Sequence, residues 1–160
     1  MKPRLDATDW RILKELQANG NITNVALAKR VGITPPPCLR RVRTLEEAGV
    51  IAGYFALIDE RMAGFDLVAF AMVGLHSQAE PDLRQFENRV LAWPLVRECH
   101  MLSGEADYIL KCVAPNLRSF QDFIIKELTS APFVASVKTS LVIRRVKYFP
   151  GVPIGISGSE

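Results

Sequence analysis

Histidine and cysteine are scarce in this chain, two and three among 160 residues, and that scarcity removes whole classes of chemistry. His76 and His100 fall on predicted strands, and neither has a nucleophilic Ser or Cys motif or a metal-ligand spacing beside it. No catalytic residue and no metal site is therefore predicted. Cys38, Cys99 and Cys112 are odd in number, far apart and free of any Cys-x-x-Cys pair. Neither a disulfide framework nor a zinc site is indicated, and reduced thiols in a cytoplasm fit best. No glycine-rich loop opens a helix, because the one glycine cluster, Gly151 to Gly158, lies at the C-terminal end, so no cofactor is implied. No apolar run approaches the roughly eighteen residues of a membrane span, and the first residues pass straight into a charged helical pattern without a secretory h-region. The expectation is a protein that is neither secreted nor membrane-bound.

What is present is an uneven distribution of charge. The net charge is only +3, but through Val50 nine basic residues face five acidic ones, giving +4, while the remainder carries eleven against twelve, giving −1. A basic head on a near-neutral body suits an anionic partner at one end, and nucleic acid is the usual one. The first fifty residues also carry three helix starts. Asp6 caps the first, with Asp9 at N3 and Ile12, Leu13 and Leu16 as its apolar stripe. Thr23 caps the second, which Gly32 stops. Thr34 caps the third, where Leu39, Val42 and Leu45 recur every three residues until Gly49. Three helices, the last two joined by a tight glycine-containing turn, form a helix-turn-helix pattern.

From Val50 the texture changes. Ile51–Ile58 predicts a linker strand, and strands follow at Leu67–Leu75, Val96–Leu102, Tyr108–Val113 and about Val134 to Phe149. Helical spacing separates them at Leu83, Phe86, Val90 and Leu91, and again from Leu117 to Leu128. Phe70, Phe86, Phe120 and Phe123 are core by this spacing. The fold class is α+β: an N-terminal three-helix, winged-helix-like head and a C-terminal ferredoxin-like βαββαβ sandwich. The expected divisions are a head over 1–50, a linker over 51–64, a second domain over 65–150 and a flexible tail over 151–160.

Projected at about 100° per residue, the third helix turns Leu39, Val42 and Leu45 to the core and leaves Pro37, Arg40, Arg41 and Thr44 outward. Outward arginines either read guanine edges or neutralise phosphate. Arg43 lies at the border, placed equally for DNA or for an ion pair with Glu47. Pro35, Pro36 and Pro37 occupy N1 to N3, where no intrahelical N–H is needed, so the first turn is stiff but poor in donors. Phosphate contacts then fall to Thr34 and the arginines.

Leu5-Asp6, Asp9, Ile12-Leu13, Leu16-Gln17, Gly20, Thr23-Asn24-Val25, Leu27-Ala28, Val31-Gly32, Pro37 to Val42, Leu45-Glu46 and Gly49-Val50-Ile51 together resemble the N-terminal half of the Lrp/AsnC family of bacterial transcription regulators. Gly104 to Leu110 is similar to that family's effector-loop motif. The resemblance spans residues 5 to about 149. It implies a DNA-binding regulator of the bacterial or archaeal cytoplasm, active on double-stranded, pseudo-palindromic operators. It further implies a homodimer that assembles to a tetramer or octamer and binds an amino acid between dimers. Pro36 departs from the family, whose members carry a small hydroxyl residue there, so a DNA hydrogen bond from this position is not carried over.

An amino acid needs donors for its carboxylate, an acceptor for its ammonium and an apolar wall. The 102–108 loop offers all three: Ser103 and Gly104 for close approach, Glu105 or Asp107 as acceptor, Leu102 and Tyr108 as wall. The resemblance adds Ser140 on the last strand. Read without it, the same loop is a plain turn whose Asp107 caps the hairpin. Two other functions remain open: a sensor whose head contacts protein, and an enzyme on a ferredoxin-like scaffold.

Overall fold

The caps set the helices of the head. In the computed structural model, which describes residues 3–155, α1 spans Ala7–Ala18 behind a closed capping box. The Asp6 carboxylate accepts from the Thr8 and Asp9 amides at 2.8 Å each, and the Asp9 carboxylate accepts from the Asp6 amide at 3.0 Å. Helix α2, Asn24–Val31, starts with the Ala26 amide donating to the Thr23 hydroxyl, and ends where Gly32 takes a left-handed φ of 77°. Helix α3, Pro35–Glu47, begins after Thr34, but the Thr34 side chain makes no capping bond. Its usual donors are the N2 and N3 amides, and Pro36 and Pro37 have none.

Ile12, Leu27, Ala28, Val31, Cys38, Val42 and Leu45 form the core of the head. Leu39, expected among them, is 40% exposed, and Cys38 takes its place. The core stripe of α3 is thus the 38, 42, 45 set rather than 39, 42, 45, a rotation of the helix by some tens of degrees. The linker strand expected at 51–58 does not form. No other strand of the described residues lies alongside to accept its backbone bonds, and Phe55, Leu57 and Ile58 stand exposed.

The second unit contains β1 (Leu67–Leu75), α4 (Glu80–Leu91), β2 (Val96–Met101), β3 (Tyr108–Ala114), α5 (Leu117–Phe123) and β4 (Val134–Leu141). A π-helical turn over Ile124–Leu128 continues α5. The sheet is antiparallel in the order β2-β3-β1-β4, the ferredoxin-like arrangement. Strand β4 stops at Leu141 instead of Phe149. Val142 donates once more to the Val68 carbonyl, but β1 begins at Leu67, so the residues beyond have no ladder to join.

Alternation along β1 sends Ala69, Ala71 and Val73 toward the helices, where they meet Tyr108, Leu110 and Cys112 of β3 and Phe86, Phe120 and Phe123. Phe70 was expected in this core and is not there. It lies with Met72 on the opposite face, which no element of the described chain covers. Backbone contacts divide the chain into a unit ending at Leu57 that also includes the segment from Tyr148, and a unit running Ile58–Lys147. Of the tail expected from residue 151, Val152 is hydrogen-bonded to Gln17, and residues 156–160 lie outside the described residues.

Candidate nucleic-acid interface and ligand loop

The rotation of α3 decides which of its side chains look outward. Pro36, Arg40, Arg43 and Thr44 are exposed, with Thr34 just ahead of them, while Pro37 is half-buried. The Thr44 hydroxyl donates to the Arg40 carbonyl at 3.0 Å. Among the described residues neither Arg40 nor Arg43 lies in an ion pair, so the Arg43–Glu47 pairing considered from the sequence is not made. Two unneutralised guanidinium groups about three residues apart on one exposed helical face are what a groove lined by phosphates and guanine edges accepts.

Arg41 does not belong to that face. Its guanidinium reaches across to α1 and donates to Asp6 at 2.7 Å and Asp9 at 2.8 Å. Cys38 and Leu45 lie about 20° apart in projection, and a core centred on them leaves Arg41 at its border, facing α1. The Asp6 carboxyl is held below its usual range by the Asp9 amide first and by Arg41 second. Arg41 thus fastens α3 to the two carboxylates that start α1. Asn24 makes a second tie, its Nδ2 donating to the Pro35 carbonyl at 2.9 Å. Sequence projection did not find this tie, although Asn24 at the first position of α2 is a residue type that readily bonds nearby backbone.

The loop between β2 and β3 has an anchored base and a free tip. The Leu102 amide donates to the Asp107 carbonyl at 2.8 Å, and the Asp107 amide donates to the Val73 carbonyl at 2.9 Å. The Asp107 carboxylate accepts from the Leu75 amide and from Gln78 Nε2, both at 2.7 Å. The register of β1 against β4 breaks between Gly74 and Leu75, and Asp107 takes up the amide that this bulge releases. Ser103, Gly104 and Glu105 are exposed, with open space around the Gly104 Cα where a side chain would stand.

Tyr108 is not a wall of the loop. It is buried against Phe86, with ring centroids 4.6 Å apart, and its hydroxyl donates to Glu87 at 2.9 Å. Burial, and then that carboxylate, push its pKa well above the ordinary phenol value. Strand alternation is the reason: Tyr108 pairs with Val73 on the helix-covered face. Ser140 pairs with Phe70, three residues along β1 from Val73, so one chain does not bring it to the loop.

Comparison with known proteins follows the same two-part division. Residues 5–52 match a winged helix-turn-helix DNA-binding family, and residues 68–152 match the family described as the Lrp/AsnC ligand binding domain. A leucine-responsive regulatory protein of Rhizobium meliloti is 59% identical over 92% of this chain and 94% of its own length. The transcriptional regulator AzlB of Bacillus subtilis is 37% identical over 94% and 96% respectively. A transcriptional regulator of Neisseria meningitidis, solved in complex with L-Met, superposes with a TM-score of 0.91 at 36% identity, over 95% of this chain and 98% of that one.

Proposed function

Because the chain belongs to the Lrp/AsnC family of DNA-binding transcription regulators, we propose that it binds DNA through Arg40, Arg43, Thr44, Thr34 and the rim at Pro36, and that an amino acid held at the 102–107 loop sets its activity. It is not an enzyme. The observation that carries the ligand reading is the free tip over the anchored base. Both Asp107 oxygens already accept bonds that shape the loop, whereas Glu105 is exposed and available to an ammonium group. Ser103 and the open backbone at Gly104 serve the carboxylate, and Leu102 borders the side chain. The neighbour's L-Met complex supports an apolar amino acid.

Melting across the twenty amino acids tests this reading. A ligand at a hundredfold excess over its Kd adds about 2.7 kcal/mol, or roughly 10–20 °C for a domain of this size. Glu105→Gln is expected to abolish the shift at unchanged basal Tm, while Asp107→Asn lowers the basal Tm itself. No shift with any amino acid, or an undiminished shift in Glu105→Gln, would refute the assignment.

The protein acts as a homodimer, with further assembly to a tetramer or octamer, on pseudo-palindromic operators in a bacterial or archaeal cytoplasm. Phe70, Met72 and Ile109 on the open sheet face are the apolar surface that a second copy covers. Ser140 lies beside Phe70 on this face, and it influences the effector response through assembly rather than from within the loop. Met72→Lys sets a second cation across from Lys138. Sedimentation should then report a monomer with a folded far-UV spectrum, and a dimer that persists would place the interface elsewhere.

A further inference from the structure

The chain passes between its two units twice, after Leu57 and after Lys147. Near the sensor end of those passages, the Arg145 guanidinium donates to both oxygens of Glu60, at 2.8 and 2.6 Å, which holds the outgoing and returning segments side by side. At the other end, the returning segment is clamped to α1. Gln17 Nε2 donates to the Val152 carbonyl at 2.7 Å, and the Val152 amide donates to Gln17 Oε1 at 3.0 Å. Both polar atoms of one amide side chain are thus spent on one backbone residue, as a neighbouring strand would spend them.

Gly151 is built for this clamp in two respects. Its φ of 113° is a conformation that residues with a Cβ rarely adopt. A Cβ there would also stand 2.5 Å from Gln17 Oε1 and 2.6 Å from its Cδ, so any side chain would expel the clamping amide.

We infer that residues 148–155 are a strap fastening the C-terminal end of the chain to α1, so that the head is tied to the ligand-binding domain by two connections instead of one. The last strand of the ligand-binding domain, β4, leads into this strap, and α1 carries the Asp6 and Asp9 carboxylates that hold the reading helix. A displacement of β4 therefore reaches the head through Gln17 without passing through the linker. The strap also limits how freely the head turns, and that freedom costs affinity whenever two heads must engage two half-sites together.

Three full-length variants test this. Gln17→Glu keeps size and helix propensity but turns a carboxylate oxygen toward the Val152 carbonyl; Gln17→Ala removes the clamp; Gly151→Ala displaces it. Hydrogen exchange of the segment containing Val152 is expected to quicken at least tenfold in Gln17→Ala and Gly151→Ala, and less in Gln17→Glu, whose carboxylate still accepts from the Val152 amide. Binding to a fluorescent duplex selected from random sequence by the wild-type protein should weaken about fivefold or more, while binding to the same duplex cut to one half-site stays within twofold. Unchanged exchange at Val152 would overturn the clamp. Faster exchange with wild-type affinity for the full duplex would overturn its role in holding the head, as would an equal loss on the half-site. The full-site comparison rests on the proposed dimer, and sedimentation of each variant separates the two: a monomeric wild-type protein refutes the dimer, and the exchange result still decides the strap.

Discussion

Phe86→Ala is expected to remove about 3–5 kcal/mol from the ligand-binding domain, a large part of the roughly 5–15 kcal/mol by which a typical domain is stable. Phe86 is fully buried where the aromatic rings meet: its centroid lies 4.6 Å from Tyr108, 6.0 Å from Phe133 and 6.2 Å from Trp93. The close, tilted and edge-on contacts each add to the area term, and three rings are too rigid to collapse into the space left behind. Tyr108 would lose its nearest ring while its hydroxyl stayed tied to Glu87. Denaturant unfolding followed by Trp93 fluorescence should show an earlier midpoint at similar slope, with Trp10 replaced by Phe to isolate the signal. Phe86→Leu should cost much less. A loss below about 1 kcal/mol for the alanine variant would mean that the sheet and helices are held by something other than this cluster.

The second large effect separates three neighbouring arginines. Arg40→Ala or Arg43→Ala should each reduce the slope of log affinity against log salt by about one, since one phosphate-neutralising charge is lost. Where the residue reads a guanine edge, affinity for that operator should also fall by about 1–3 kcal/mol, and sequence preference should relax at one position. Arg41→Ala should leave the salt slope alone and lower the melting temperature of the head. Arg41→Lys should recover only part of that loss, because both bonds leave the single nitrogen Nη1, which lies one atom farther along the side chain than a lysine ammonium. The same network responds to acid. Asp6 titrates below its ordinary value in the folded head, so its stabilisation is complete at neutral pH. It is lost as pH falls from the ordinary aspartate range through that lower folded value. An Arg41→Ala protein with wild-type melting and a slope reduced by one would place Arg41 on the DNA.

The helices and the order of helices and strands along the chain were legible because their signals are local. Asp6 with Asp9, Thr23, and Gly32 each act within a few residues, and the switch from helical to alternating spacing after Val50 needs no tertiary knowledge. The errors arise where a choice depended on something outside the window. Leu39 and Cys38 both fit a helical stripe with Val42 and Leu45, and the larger apolar residue was the natural choice. A free cysteine buries as readily, and the core of the head takes Cys38. That small rotation moved Arg41 off the outer face. Thr34 stands where a cap belongs, but its donors were removed by the prolines beside it. The strand expected at 51–58 has the composition of a strand without a partner among the described residues, and the end of β4 fails for the same reason. For the loop proposed to hold the ligand, the sequence pointed to a segment but not to the bonds made within it. Alternation alone turns Tyr108 inward, and only the bulge at Gly74–Leu75 explains why Asp107 is occupied.

One further consequence concerns the thiols. Cys38 is fully enclosed in the core of the head and Cys112 in that of the ligand-binding domain. Burial pushes the Cys38 thiol up, and that of Cys112 up to about 12. Alkylation proceeds through the thiolate, so neither sulfur reacts until the structure around it opens. With Cys99 replaced by Ser, a slow alkylating reagent therefore counts openings of each half separately in one sample, and each rate converts to a local opening free energy. Operator DNA should slow labelling at Cys38, and an amino-acid ligand at Cys112. Any slowing of one thiol by the partner of the other half would measure, in the intact chain, how much of one event is felt at the other end.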